Sequence, residues 1–218
     1  MTQVRLAAWT ALVLGIAGLN YYARFTDSSA GSSHNEIYSW SSFVGGVIVY
    51  AVWLLLVVGI AADRRDLLAL RQPRSWGRGL AYVGAAIAGI LLTGAIVSLL
   101  PLPESPGSEQ DLTPTQWEPR YAGAFAANLV LFAVIAPVVE ELMFRGLGQS
   151  LLQIFGRVPA ILLVGLAFGA SHGLVEGLLV LVPFGIFLAI LRDRTDSVYP
   201  GMLVHGLWNG TVLLLSVL

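Results

Sequence analysis

The chain contains no cysteine and no lysine. The first absence excludes disulfides, thiol catalysis and cysteine-ligated metal sites, and it leaves the redox compartment open. The second makes all 12 basic residues arginine, which reads as genomic composition rather than function. Charge is scarce too: 11% of the 218 residues are charged, against about a quarter in an ordinary soluble domain. With a formal net charge of −1, no global basic field points to nucleic acid. There is no internal repeat and no low-complexity tail. What remains is apolar, 56% hydrophobic with a mean hydropathy of +0.78. That composition belongs to the membrane class.

About 20 apolar residues are needed to cross the hydrocarbon core. Candidate runs fall at roughly 5–22, 40–62, 79–100, 121–141, 158–173, 177–191 and 198–218. The expected fold is therefore all-α, a polytopic membrane protein with about seven transmembrane helices. Residues 1–119 supply membrane helices, an arginine-rich loop and an acidic loop. Residues 120–218 form the core that carries the polar fragments described below, and the two parts make one integrated membrane domain. The loop 63–78 holds Arg64, Arg65, Arg71, Arg74 and Arg78. The loop 101–120 is the clearest break, with Pro101, Pro103, Pro106, Pro114 and Gly107. It sets Glu104, Glu109, Asp111 and Glu118 against Arg120.

Basic flanks stay cytoplasmic. With the N-terminus inside, Arg5, the five loop arginines, Arg145, Arg157, Arg192 and Arg194 fall on the cytoplasmic side, and only Arg24 and Arg120 fall outside. The expectation is an integral protein of a bacterial plasma (inner) membrane with a cytoplasmic N-terminus. Tyr21, Tyr22, Trp40, Trp76, Trp117, Tyr121 and Tyr199, near the run ends, suit the interfacial belts. Residues 1–30 could instead be a cleaved signal peptide ending at Ser28-Ser29-Ala30, with the other six spans keeping their orientation.

Three fragments interrupt the apolar runs: Glu140-Glu141-Leu142-Met143-Phe144-Arg145, Phe168-Gly169-Ala170-Ser171-His172 and His205-Gly206-Leu207-Trp208-Asn209. An ionisable group costs roughly 2.5–3.5 kcal/mol at a helix centre on insertion scales, so each is a functional candidate. Positions four apart share a helix face. Glu141 then stacks on Arg145, Phe168 on His172 and His205 on Asn209. Glu140 points about 100° away from Glu141, which leaves it free for chemistry. A carboxylate in a low-dielectric pocket can serve as a general base. One imidazole can hold the attacking water, and a second imidazole beside an amide N–H₂ makes an oxyanion hole. Peptide hydrolysis needs those three components. Ser171 is poorly placed to be activated by His172, its own neighbour in the helix.

Other readings use the same residues. A Glu–Arg pair or a lone apolar-face histidine is often structural. Zinc could be held by Glu140, His172 and His205, although the His-Glu-x-x-His spacing is absent; the metal-free reading is favoured, with no cofactor and zinc as the alternative. Intramembrane Glu and His also mark proton- or ion-coupled transporters, but the chain shows no repeated half.

At these positions the chain resembles the CAAX-processing and bacteriocin-processing intramembrane proteases, the CPBP or Abi family. The family pattern is Glu-Glu-x-x-x-Arg, Phe-x-x-x-His and His-x-x-x-Asn on successive membrane helices. It is met by Glu140, Glu141 and Arg145, by Phe168 and His172, and by His205 and Asn209, over about residues 120–218. The resemblance implies an intramembrane endopeptidase. Glu140 would activate water with help from His172, His205 and Asn209 would stabilise the oxyanion, and Glu141, Arg145 and Phe168 would organise the site. The implied partners are the lipid bilayer and a peptide or protein substrate with a membrane-associated segment. Pro137 is expected to open the backbone before Glu140. On seven simple spans Glu140 and His172 would lie at opposite ends of their helices and not meet. A helix continuing through 141–155, and a partly re-entrant segment 173–183, would bring them together.

Overall fold

A computed structural model describes residues 1–26, 36–102, 114 and 116–218. Among these the chain forms seven helices and no strand. They are α1 (Thr2–Thr26), α2 (Trp40–Ala61), α3 (Trp76–Val97), α4 (Pro119–Phe155), α5 (Arg157–Ser171), α6 (Leu178–Thr195) and α7 (Tyr199–Leu215). Short 3₁₀ turns at Glu36–Tyr38 and Arg65–Leu68 precede α2 and follow it. The protein is an all-α polytopic membrane protein. Ser28, Ser29 and Ala30, like Pro103, Glu104, Pro106, Gly107, Glu109 and Asp111, lie outside the described residues.

Each expected apolar run contains one helix, but their lengths divide them. Helices α1 to α4 are long and apolar enough to cross a membrane. Helix α5 has 15 residues and α7 has 17, and α6 closes on Arg192, Asp193 and Arg194. At 1.5 Å per residue α5 is roughly 22 Å long, short of a hydrocarbon core of about 30 Å. The segment 173–183 divides into a turn and the start of a helix. A turn runs from His172 to Gly177, and helix resumes at Leu178 with Pro183 inside it.

Apolar side chains cover both the inside and the outside, as expected where the outer solvent is lipid. Val44, Ile48, Leu55, Leu91 and Leu92 are exposed, while Met143, Phe144, Leu147, Leu151, Phe168 and Leu188 are almost wholly buried. Between membrane helices, burial from water cannot drive association, so close van der Waals packing at small residues matters more. Helices α5 and α6 cross at glycines: a Cβ at Gly165 would stand 2.9 Å from the Ile186 nitrogen, and one at Gly185 would stand 2.9 Å from the Gly165 Cα. Helix α1 joins the same core through Trp9, Val13 and Ile16. Its Trp9 ring lies over Gly148, and the indole N–H donates to the Met143 carbonyl at 2.9 Å.

Helix α4 continues without a break through 141–155, as the amphipathic pattern there suggests. It widens twice into π-helical turns, at Leu131–Ile135 and Leu142–Gly148, on either side of Ala136–Glu141. Pro137 has no N–H to give, and the wide turn just before it absorbs the missing bond: the Ala136 N–H donates to Leu131. Such turns recur at functional sites because they re-aim side chains within a helix.

Nine of the ten arginines expected on one side gather at one end of the helices. Arg5 pairs with Asp63, Arg71 with Asp196 at 2.5 Å, and Arg157 with Asp193. Burial raises the proton affinity of Asp196, but the Arg71 hydrogen bond and the Arg71, Arg192 and Arg74 charges outweigh it, so the carboxyl stays below its ordinary value. The tenth, Arg145, is not interfacial; it is fully buried among the helices.

Candidate active site

Fifteen residue steps of α4 lead from Glu140 to Phe155, and fifteen lead from Arg157 to His172, just past the end of the returning α5. Both arms therefore climb roughly 22 Å from the tight turn at Gly156 (φ +99°), which brings the two side chains to one depth. The continuation of α4 and the shortness of α5 together remove the mismatch expected from seven simple spans. Helix α7 supplies the third wall. It approaches through Gly201, where a Cβ would stand 2.5 Å from Glu141 Oε2, and through Gly206, where one would stand 2.5 Å from the Ala133 carbonyl oxygen.

The two glutamates have different partners. Glu141 is fully buried and accepts from Arg145 Nη1 at 2.7 Å and from His205 Nδ1 at 3.3 Å. Arg145, also fully buried, gives Nη2 to the Gly185 carbonyl at 3.1 Å and lies 4.3 Å from the Phe168 ring centre. A buried guanidinium so held has a carboxylate, a carbonyl and a π-face around it, which offsets its lost hydration. Glu140 accepts the Tyr50 hydroxyl at Oε1, 2.8 Å away. Its Oε2 has no hydrogen-bond partner among the described residues and faces His205 Nε2 at 3.8 Å.

The histidines are oriented through their Nδ1 atoms. His172 Nδ1 lies 2.8 Å from the Phe168 carbonyl. A carbonyl only accepts, so Nδ1 carries a proton, and in the neutral imidazole Nε2 then keeps its lone pair. Phe168 packs edge-on against both imidazoles, with centroids at 4.7 Å from His172 and 5.7 Å from His205. Phe184 backs His205 at 5.1 Å. Asn209 Nδ2 donates to the Phe132 carbonyl at 3.0 Å, a bond that holds the amide against α4 and uses one of its two N–H groups. The Phe132 carbonyl lies in the first wide turn of α4. Glu140 and His205 are buried, whereas His172 and Asn209 are half-buried, so the cluster opens on their side.

Six of the seven residues singled out in the sequence, Glu140, Glu141, Arg145, Phe168, His172 and His205, thus stand side by side, while Asn209, one turn beyond His205 on α7, is bonded to the Phe132 carbonyl. Tyr50, on α2, was not among them. Its signal was its place in mid-run, away from the interfacial ends where aromatics need no special partner; a tyrosine hydroxyl buried there must find an acceptor. The turn after His172 is gripped by α1, with Asn20 Nδ2 donating to the Ser171 carbonyl at 2.7 Å and the Tyr21 hydroxyl to the Leu174 carbonyl at 2.9 Å. Ser171 donates to the Phe168 carbonyl at 2.7 Å, an arrangement that stabilises its own helix.

The fold and this cluster define a polytopic membrane protein with a group of ionisable side chains gathered among its helices. Residues 122–211, which contain every one of the seven motif positions, match the family described as "Rce1-like: Type II CAAX prenyl endopeptidase Rce1-like". The match covers less than half of the chain, and over it the segment is similar to that family, in accord with the resemblance to the CPBP intramembrane proteases. No curated protein and no solved structure matches the chain.

Proposed function

We propose that the protein hydrolyses a peptide bond in membrane-associated substrates, with Glu140 activating the water. The observation that carries this is the unpartnered Oε2 of Glu140, buried and facing an imidazole at 3.8 Å while Tyr50 occupies the other oxygen. Oε2 takes the proton of a water whose other hydrogen is accepted by His172 Nε2. The hydroxide attacks the scissile carbonyl, and the oxyanion is met by the free Asn209 N–H and by His205. His205 already gives its Nδ1–H to Glu141, so it must carry both protons to donate from Nε2. The cluster then balances, with two carboxylates against Arg145 and the imidazolium. Glu140 returns its proton to the leaving amine.

A second reading has an observation of its own. Both histidines are tied down at Nδ1, His172 to a carbonyl and His205 to a carboxylate, which is how zinc-ligating histidines are usually oriented. Glu140, His172 and His205 would hold the ion, and it would supply an acidified water. Among the described residues, however, no three such side chains gather as a metal-holding group. The two readings part in one assay: cleavage of prenylated and unmodified peptides by purified protein, with metal content measured alongside. Metal-free protein should cleave. About one zinc per chain, with chelation abolishing activity that zinc restores, would move the assignment to the second reading. Ion flux through liposomes without any cleavage would remove both in favour of a transporter.

The site also needs Tyr50. The hydroxyl fixes which carboxylate oxygen stays free, and a hydrogen bond to a charged group contributes about 1.5–3 kcal/mol. Tyr50→Phe should slow cleavage on the order of tenfold or more on that scale, with a comparatively small change in melting temperature; an unchanged rate would show that Tyr50 is only packing.

The arginine-rich end is the cytoplasmic one in this proposal, and the membrane a bacterial inner membrane, by the rule that basic flanks are retained. Reporters fused in the 62–75 and 98–118 connections should read opposite sides, the first cytoplasmic; an external reading for the first would reverse the orientation.

A further inference from the structure

At the arginine-rich end a cavity of about 180 Å³ lies between the start of α3 and the end of α6, lined by Arg74, Ser75, Arg78, Gly79, Tyr82 and Arg194, with Thr195 at its base. The charges around it do not cancel. Two carboxylates stand near, and each is already claimed: Asp193 by Arg157 and Asp196 by Arg71. Arg74 has only a long contact to Asp196, at 3.4 Å, and its side chain is 78% exposed. Arg194 is 4.0 Å from Asp193 and lies over the Tyr82 ring. The Arg78 side chain has no partner among the described residues. Three guanidinium groups therefore converge on one recess with little compensation. The recess lies at the N-terminal end of α3, a 22-residue helix whose N-cap Ser75 side chain accepts from the Arg78 N–H, and the positive end of a helix dipole favours an anion there.

We propose that this cavity binds the phosphate of an anionic phospholipid headgroup. Planar guanidinium forks match phosphate oxygens in pairs, and basic pockets between membrane helices bind such headgroups. The surroundings favour a lipid over soluble phosphate. The cavity is lined by Ser75, Arg78, Gly79 and Tyr82 on one face of α3, and the adjoining face carries Trp76 and Leu80, 51% and 59% exposed. A headgroup seated among the arginines would lay its acyl chains along Trp76 and Leu80. The ligand would join α3 to α6, which are linked at this end by the Arg74 N–H donating to the Thr195 carbonyl at 3.4 Å.

The test uses the full chain in detergent and three probes: short-chain phosphatidylglycerol, short-chain phosphatidylcholine and inorganic phosphate. Phosphatidylglycerol should raise the melting temperature in a saturable way, and phosphatidylcholine should not. Arg78→Gln and Arg194→Gln should each weaken the phosphatidylglycerol response on the order of tenfold, the scale of one lost hydrogen bond to a charged group. Arg65→Gln, which removes the same charge from the same end of the protein outside the cavity, should leave it unchanged. Melting without added probe shows that each variant is folded. If inorganic phosphate protects as well as the lipid does, and the same two substitutions weaken it, the phosphate site stands and the lipid assignment falls. Equal responses in wild type, Arg78→Gln, Arg194→Gln and Arg65→Gln would overturn the site altogether.

Discussion

Glu140→Gln should reduce peptide cleavage by roughly 10²–10⁴-fold, the usual contribution of a general base, while the melting temperature stays level or rises. Glutamine keeps the volume of the side chain. Its carbonyl oxygen can still accept the Tyr50 hydroxyl, now 2.8 Å from Glu140 Oε1. What it lacks is the second acceptor oxygen, replaced by an N–H₂ that cannot take a proton from water. The substitution also removes a buried carboxylate whose Oε2 has no partner among the described residues, and leaving such a group unsatisfied is costly. A catalytic loss with no loss of stability is the signature of chemistry rather than architecture. His172→Ala should follow Glu140→Gln in rate. Asn209→Ala should keep slow turnover, since one oxyanion donor contributes about 10²–10³. Rates for the three variants, set beside their melting curves, check the assignment, and full activity in Glu140→Gln would end it.

The parts of this picture that could be read in advance are those written in local pattern. Apolar run length located seven helices, and the i,i+4 spacing paired Glu141 with Arg145 and Phe168 with His172, because one helical turn dictates both. The three-helix gathering of Glu140, His172 and His205 could be anticipated only from the motifs, and their common depth only by extending α4 to Phe155. Other features had no local signal. Tyr50 lies 90 residues before Glu140; its mid-run position says that it needs an acceptor but not which one. His205 was read as an oxyanion donor beside Asn209, yet it also bridges the two glutamates, through Nδ1 at 3.3 Å and Nε2 at 3.8 Å. That bridge depends on how closely Gly201 and Gly206 let α7 approach α4, a tertiary distance that periodicity does not encode. The second wide turn of α4 is likewise tertiary: Gly148 accommodates the Trp9 ring, and Trp9 takes up the Met143 carbonyl.

Glu141→Gln should behave in the opposite way to its neighbour and lose stability together with activity. Arg145 is fully buried, and among the described residues Glu141 is its one direct ion-pair partner, at 2.7 Å. Removing that charge leaves a guanidinium with a carbonyl and an aromatic face but no anion in contact, and breaking a buried pair from one side costs about 3–5 kcal/mol. A second substitution separates the two losses. In Glu141→Gln with Arg145→Met the unpaired cation is gone and a side chain of similar length fills its place, so most of the lost stability should return. Activity should not return with it. The introduced carboxamide can still accept the His205 Nδ1–H, but it no longer brings the negative charge that lets His205 carry its second proton. Without that proton Nε2 has nothing to donate to the oxyanion. The double variant should therefore fold like the wild type and cleave like a protein missing an oxyanion donor, slower by about 10²–10³. If it recovers both stability and rate, Glu141 serves only to neutralise Arg145, and His205 must work as a neutral imidazole.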